Sequence, residues 1–288
     1  MSFSIRVKMK DGTVFTTVES LQSKLNSSGN PANWAFVPTM GALHEGHLDL
    51  VRKALEITEQ VIVSIFVNPT QFNSKEDLEK YPRTLENDLK LLESVGDVLV
   101  FAPTVVEMYP SNFKEISIDL SALENVMEGK FRPGHFNGVM NVVHRFFEIV
   151  QPKHAFFGEK DFQQLAVIQR MVEELKLPVQ IIPCTTIRET NGLAKSSRNQ
   201  RLSEIQKEQA LIMVKTLLFA KENKDKVSPN DLKTSSIEYF NRGELKLEYL
   251  EIVDAQTLQS IDHWKAGSRM CIAAFCGEVR LIDNMELV

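Results

Sequence analysis

The sequence predicts an α/β fold, a parallel sheet covered by helices on both faces, followed by a smaller α+β domain. Three observations carry this. Near-continuous apolar runs, such as VIVSIFV at 61–67, alternate with amphipathic helical patterns over the first part of the chain. That alternation is the signature of parallel strands buried on both faces. A short apolar run at 34–37 then enters a Pro/Gly turn and opens a helical pattern. After about residue 188 the pattern changes to a long helix, a shorter one and three strand-like runs.

Taken in order, residues 5–15 read as a small hairpin or extended segment around Asp11-Gly12, 17–26 as a short helix and 27–33 as a loop. Residues 34–37 form a strand and 47–59 a helix, with Leu48, Val51 and Leu55 at helical spacing. A strand at 60–67 stops at Asn68-Pro69-Thr70. A helix at 84–94 and a strand at 97–101 follow, then a helix at 138–150 and a strand at 154–157. Residues 161–177 place Leu165, Ile168, Val172 and Leu175 on one helical face, and 179–187 is the next strand. Ligands of such Rossmann-like sheets bind beyond the carboxyl ends of the strands. The loops after Val37, Val67, Phe157 and Ile187 are therefore the informative ones.

Beyond them, 203–223 is a long helix, 224–230 a loop carrying Pro229, and 232–241 a shorter helix. Runs at 249–254, 270–275 and 279–282 are strands, the last two joined at Cys276-Gly277. The expected division is a nucleotide- and substrate-binding domain over 1–187 and a small α+β lid domain over 188–288.

Composition narrows the class. Hydrophobic residues make up 43% and charged residues 25%, an ordinary globular balance. A net charge of -5 disfavours a dedicated nucleic-acid binder, while leaving room for a local cationic cluster on small anions. Cys184, Cys271 and Cys276 lack zinc-type spacing, and so sparse a set fits a reducing cytoplasm. Residues 1–10 carry no apolar signal core, and no run is long enough to span a bilayer. The expectation is a cytoplasmic protein with no membrane, nucleic-acid or zinc site.

Chemistry concentrates at the strand exits. In Pro38-Thr39-Met40-Gly41-Ala42-Leu43-His44-Glu45-Gly46-His47 two histidines flank a helix start. The first N–H groups of a helix have no intrahelical partner and accept phosphate readily. Histidines there can donate to phosphate oxygens or act as general acids. Phe157-Gly158-Glu159-Lys160-Asp161-Phe162-Gln163-Gln164 also follows a strand. Lys160 opposes the helix dipole there, which suggests a phosphate to meet. Lys195-Ser196-Ser197-Arg198 sets hydroxyls between cations. Asn68 and Gln71 offer neutral amides for a hydroxy acid. Arg132 and His135 lie in a turn-rich loop that reads as a lid or a simple connection. Asn87 and Asp88 follow Tyr81-Pro82-Arg83-Thr84, and one carboxylate beside an amide is weak evidence for a metal ligand.

The segments PTMGALHEGH, SIFVNPTQF, YPRT, RPGHFNGV, FGEKDFQQL, IRE and SSRN together resemble the pantothenate synthetase (pantoate–β-alanine ligase) family, in family order over most of 36–202. HEGH is similar to the HxGH element of the wider nucleotidyltransferase superfamily. The resemblance implies that ATP and pantoate give pantoyl adenylate and pyrophosphate, after which β-alanine attacks to give pantothenate and AMP. It implies ATP as substrate with Mg²⁺, and a homodimer. By matching position it assigns ATP contacts to Met40, Gly41, Ala42, Leu43, His44, Glu45, Gly46 and His47, to Gly158, Glu159, Lys160 and Asp161, and to Ile187, Lys195, Ser196, Ser197 and Arg198. His47 would be the proton donor, with His44, Lys160 and Arg198 as its catalytic companions. Gln71 and Gln164 would hold pantoate, with Asn68 and Tyr81 as weaker candidates. Lys195 departs from the family, which has an apolar residue before SSR; its charge either reaches the phosphates or points to solvent.

Overall fold

The computed structural model describes residues 13–27 and 33–288. The chain divides into two compact units. Met1–Ile118, Gly134–Gly158 and Ile168–Cys184 form the first, and Asp119–Pro133, Glu159–Val167 and Thr185–Val288 the second. The sequence division assigns 119–133 and 159–167 to the first domain; in the structure they pack within the second unit.

The first unit opens with β1 (Val14–Phe15), α1 (Val18–Ser27), β2 (Ala35–Thr39) and α2 (Glu45–Ile57). It continues through β3 (Val61–Ile65), α3 (Lys75–Lys80), α4 (Leu85–Glu93), β4 (Leu99–Phe101) and α5 (Val105–Met108). After α6 (Met127–Phe131), which belongs to the second unit, come α7 (His135–Val150) and β5 (His154–Gly158). Helix α8 (Phe162–Glu174) begins in the second unit and ends in the first, and β6 (Gln180–Cys184) closes the sheet.

The six strands are all parallel, in the order β1-β4-β3-β2-β5-β6. Val14 and Phe15 pair in parallel with Val100 and Phe101, so this end of the expected 5–15 hairpin is a sheet edge. The rest of that hairpin lies outside the described residues. Val37, Val63 and Val100 are fully buried, as strands covered on both faces require, and Val51 of α2 packs into the same core. The strand order reverses between β2 and β5, the switch point beyond which such sheets bind ligands. β2 pairs with β5 only at Ala35 and Phe36. Pro38, which has no N–H to give, sits past the end of that ladder, so the two strands are free to part there.

The second unit contains α9 (Glu204–Asn223), α10 (Pro229–Phe240) and an antiparallel sheet β7 (Lys246–Asp254), β8 (Ser268–Cys276), β9 (Val279–Glu286). Pro229, expected in a loop, is the first residue of α10, where a missing N–H costs nothing; Ser228 caps that helix. The central strand β8 is almost entirely buried, and Leu217, Leu232, Phe240, Met270 and Ile272 form one apolar core. Truncating a fully buried leucine such as Leu217 in such a core costs about 2–5 kcal/mol.

Candidate active site

The loop leaving β2 is the most constrained part of the first unit. Thr39 is anchored on β3: its Oγ1 donates to Ser64 O at 2.6 Å and its N–H donates to Ser64 Oγ at 3.2 Å. Gly41 and Ala42 then adopt positive φ, +77° and +48°. At Gly41 a Cβ would stand 3.0 Å from Ile65 Cγ2 and 3.1 Å from Asp88 Oδ2, so both conformation and space demand glycine. The Ala42 and Leu43 N–H groups donate to the two oxygens of Asp88 on α4, at 2.9 and 2.8 Å.

Helix α2 starts at Glu45, two residues before the expected start, because His44 is its N-cap. His44 Nδ1 accepts from Gly46 N–H at 3.1 Å, and His47 Nδ1 accepts from His44 N–H at 3.4 Å. This reciprocal arrangement is a capping box built from imidazoles instead of hydroxyl and carboxylate. The rings stack with centroids 4.0 Å apart. A neutral ring that accepts at Nδ1 carries its proton on Nε2, so the network assigns each ring an Nε2–H tautomer.

Beyond β3, Pro69–Gln71 forms a single 3-10 turn capped by Asn68. Asn68 is 1% exposed and fully engaged: Nδ2 donates to Gln71 Oε1 and Gly138 O, both at 3.1 Å, and Oδ1 accepts from Tyr109 Oη at 2.7 Å. Asn68 therefore orients Gln71. Gln71 keeps its oxygen on Asn68 and turns its amide NH₂ toward Met40 Sδ at 3.1 Å, a weak acceptor. His135, at the start of α7, supports the same turn through Nδ1 on Gln71 O at 2.8 Å. Residue order does not reveal His135 and Tyr109 as supports of Gln71; Tyr109 carries no sequence signal for it. Tyr81 is buried, its ring edge-on to Phe72.

The remaining predicted residues, apart from Gly158 at the end of β5, lie in the second unit. Lys160 is half-buried, its Nζ 3.9 Å from Asp161 Oδ2. Its backbone is fixed by Asn284, whose Nδ2 donates to Glu159 O and Lys160 O at 2.9 Å each. Asn284 in turn accepts from Arg269 Nη1 at 2.7 Å, and that guanidinium lies over the Phe162 ring. Gln164 is half-buried, whereas its neighbour Gln163 is buried and spent on Glu128 N–H, Leu123 O and Val126 O. Lys195 N–H donates to Ile187 O at 3.0 Å, which brings those two predicted segments together. The Lys195 ammonium pairs with Glu189 at 3.0 Å. Ser196 Oγ caps the 3-10 turn by accepting from Arg198 N–H.

A buried ionic cluster stands in the same unit. Glu128 receives both Arg280 Nη atoms, at 2.8 and 2.6 Å, together with Tyr249 Oη at 2.8 Å and Arg132 Nη1 at 3.3 Å. Burial alone would raise its pKa, but the Arg280 hydrogen bonds and charge outweigh that and hold it at about 2. Burial lowers the pKa of Arg132, with Glu128 opposing the shift and Arg198 adding to it. Burial and the Glu128 charge push the Tyr249 phenol well above its ordinary value.

Among the described residues no group of three or more His, Cys, Asp or Glu side chains could hold a metal ion, and no helix is long and apolar enough to cross a membrane. Cys184, Cys271 and Cys276 are buried thiols, none joined in a disulfide.

Comparison with known proteins places this loop-borne set in a family. The pantoate-beta-alanine ligase family matches residues 13–286. A pantothenate synthetase from Bacteroides fragilis is 47% identical over 282 residues, covering 95% of this chain and 98% of that protein. The crystal structure of pantothenate synthetase from Thermus thermophilus superposes with a TM-score of 0.91 at 42% identity, over 95% of this chain and 99% of that one. A Francisella tularensis pantoate-beta-alanine ligase, solved with β-γ ATP and β-alanine, gives a TM-score of 0.76 at 35% identity, covering 95% and 97%. The chain therefore belongs to the pantoate-beta-alanine ligase family.

Proposed function

We propose that this protein condenses pantoate with β-alanine using ATP, giving pantothenate, AMP and pyrophosphate through pantoyl adenylate. The observation that carries the reading is the His44–His47 pair at the exit of β2, with both Nδ1 atoms committed to backbone N–H groups. In the first step a pantoate carboxylate oxygen attacks the α-phosphorus, the bond to the β-phosphate breaks, and pyrophosphate leaves. Negative charge rises where two anions meet, and fixed N–H donors and cations offset it without reorganising. His47 Nε2–H is the donor and proton source, and His44 Nε2–H serves the phosphates beside it. On the second unit, Lys160 and Arg198 supply positive charge, Glu159, Asp161, Ser196 and Ser197 add nucleotide contacts, and Ile187 and Lys195 contribute backbone.

In the second step the β-alanine amine attacks the acyl carbon, the acyl–phosphate bond breaks, and AMP departs. No covalent enzyme nucleophile is needed; positioning does the catalytic work. Gln71 and Gln164 hold pantoate through amides, and an analogue lacking the hydroxyl would leave them unpaired. Mg²⁺ bound with the nucleotide would supply charge neutralisation for the phosphates and would ask for few protein ligands. The protein works in the cytoplasm as a homodimer.

The test is pyrophosphate release from ATP by purified protein. Release that requires pantoate, followed by AMP and pantothenate once β-alanine is added, is the expected result. ADP as product would overturn the adenylate route.

A further inference from the structure

Asp88 is fully buried on α4, 46 residues along the chain from the loop it serves. Its Oδ2 accepts from Ala42 N–H at 2.9 Å, and its Oδ1 from Leu43 N–H at 2.8 Å and Thr84 Oγ1 at 3.1 Å. An enclosed carboxylate survives only if its oxygens are satisfied. Here backbone N–H groups from two successive loop residues provide that. Successive backbone N–H groups presented by a turn attract anions. In this loop the Ala42 and Leu43 N–H groups are already taken by the protein's own carboxylate.

A cavity of about 310 Å³ borders Met40, Gly41, Thr84, Asp88 and Val105, so on that side open space adjoins the turn. Ala42 and Leu43 are buried, and the Asp88 hydrogen bonds add to that packing in holding the positive-φ conformation of Ala42. Leu43 leads directly into His44, whose backbone N–H meets His47 Nδ1 and whose ring caps α2. A slackened turn would misaim both rings.

We propose that Asp88 is a positioning residue for adenylate formation: its carboxylate locks the Gly41–Ala42–Leu43 turn and so fixes the orientation of His44 and His47. The proposal rests on the ligase reading above. Asp88 acts through the loop, with three donors on its two oxygens.

The experiment compares pantoate-dependent pyrophosphate release by wild type, Asp88→Asn, Asp88→Glu and Thr84→Ala, with folding checked by circular dichroism and melting. Asp88→Asn keeps the shape but loses one acceptor and the charge. Its kcat is expected to fall about 10- to 100-fold, with KM for ATP and pantoate within about threefold. Asp88→Glu keeps both acceptors, and the adjoining cavity admits its extra methylene, so it recovers most of that loss. Thr84→Ala removes only the outer hydroxyl donor and folds without difficulty; its kcat falls a few-fold at unchanged KM. The Mg²⁺ concentration for half-maximal rate is the same in all four. An active wild type with Asp88→Asn at near-normal kcat overturns the proposal alone. So does a loss that appears as a raised Mg²⁺ requirement, or a Glu variant no better than Asn. A wild type inert with ATP and pantoate overturns the ligase reading as well.

Discussion

His44 and His47 hold each other: the backbone N–H of the first donates to the ring of the second at 3.4 Å, and the two rings stack at 4.0 Å. The pair is thus a structural cap for α2, built from one ring nitrogen of each imidazole.

The cap and the proposed chemistry of His47 are two separable effects in a variant. His47→Ala is expected to lower the rate of pantoyl adenylate formation by about 10²- to 10⁴-fold, the range for a lost acid or donor. The lost cap should cost about 1 kcal/mol of stability, leaving the protein folded. Single-turnover formation of the adenylate, read beside a melting curve, checks both. An unchanged single-turnover rate would remove His47 from the mechanism.

Gly138 is a second pressure point. A Cβ there would stand 2.5 Å from Thr70 O and 2.8 Å from Gln71 N, both backbone atoms that cannot swing aside. Gly138→Ala should therefore push the turn carrying Gln71 away from α7. We expect a loss of about 1–3 kcal/mol in stability, with a several-fold higher KM for pantoate and an unmoved KM for ATP. Denaturant titration and steady-state kinetics measure the two. Equal rises in both KM values would contradict the assignment of Gln71 to pantoate.

Acid stability should report on Glu128. Its pKa lies at about 2 in the folded protein, below the ordinary 4.5. A carboxylate held down in this way contributes stability above its unfolded pKa and loses it as pH falls through the folded value. Melting temperature should therefore drop between about pH 4.5 and pH 2. Glu128→Gln should flatten that acid limb, while costing about 1–3 kcal/mol at neutral pH, because Arg280 keeps its Glu248 ion pair but loses charge-assisted bonds to Glu128. An acid limb of unchanged slope in the variant would refute the linkage.

Much of this is legible in residue order. Apolar runs mark β2, β3 and β5 because parallel strands buried on both faces need no alternation. The strand exits then point to the loops of His44, Gln71 and Lys160. Sequence fails where one residue's task depends on a distant neighbour. The start of α2 falls earlier than periodicity places it, because histidine is an unusual N-cap and only the reciprocal bond to His47 reveals it. Asn68 reads as a pocket amide, and its bonds to Tyr109 and Gly138 cannot be read from residue order. Asp88 is given no role by residue order, since nothing in YPRTLEND announces a backbone loop on its oxygens. Helices as short as α3, α5 and α6 give periodicity too little length to register.

The pairing of Glu128 with Arg280 also sets an order of events during synthesis. Arg280 lies 152 residues further along the chain. At ribosomal speeds that separation amounts to a delay on the order of ten seconds. The first unit has all six of its strands once Cys184 has emerged. Through that interval Glu128 has yet to meet its arginine. The nascent chain therefore carries a finished sheet and an unfinished neighbour at the same time, and 119–133 is the stretch a chaperone would have to shield until β9 is made.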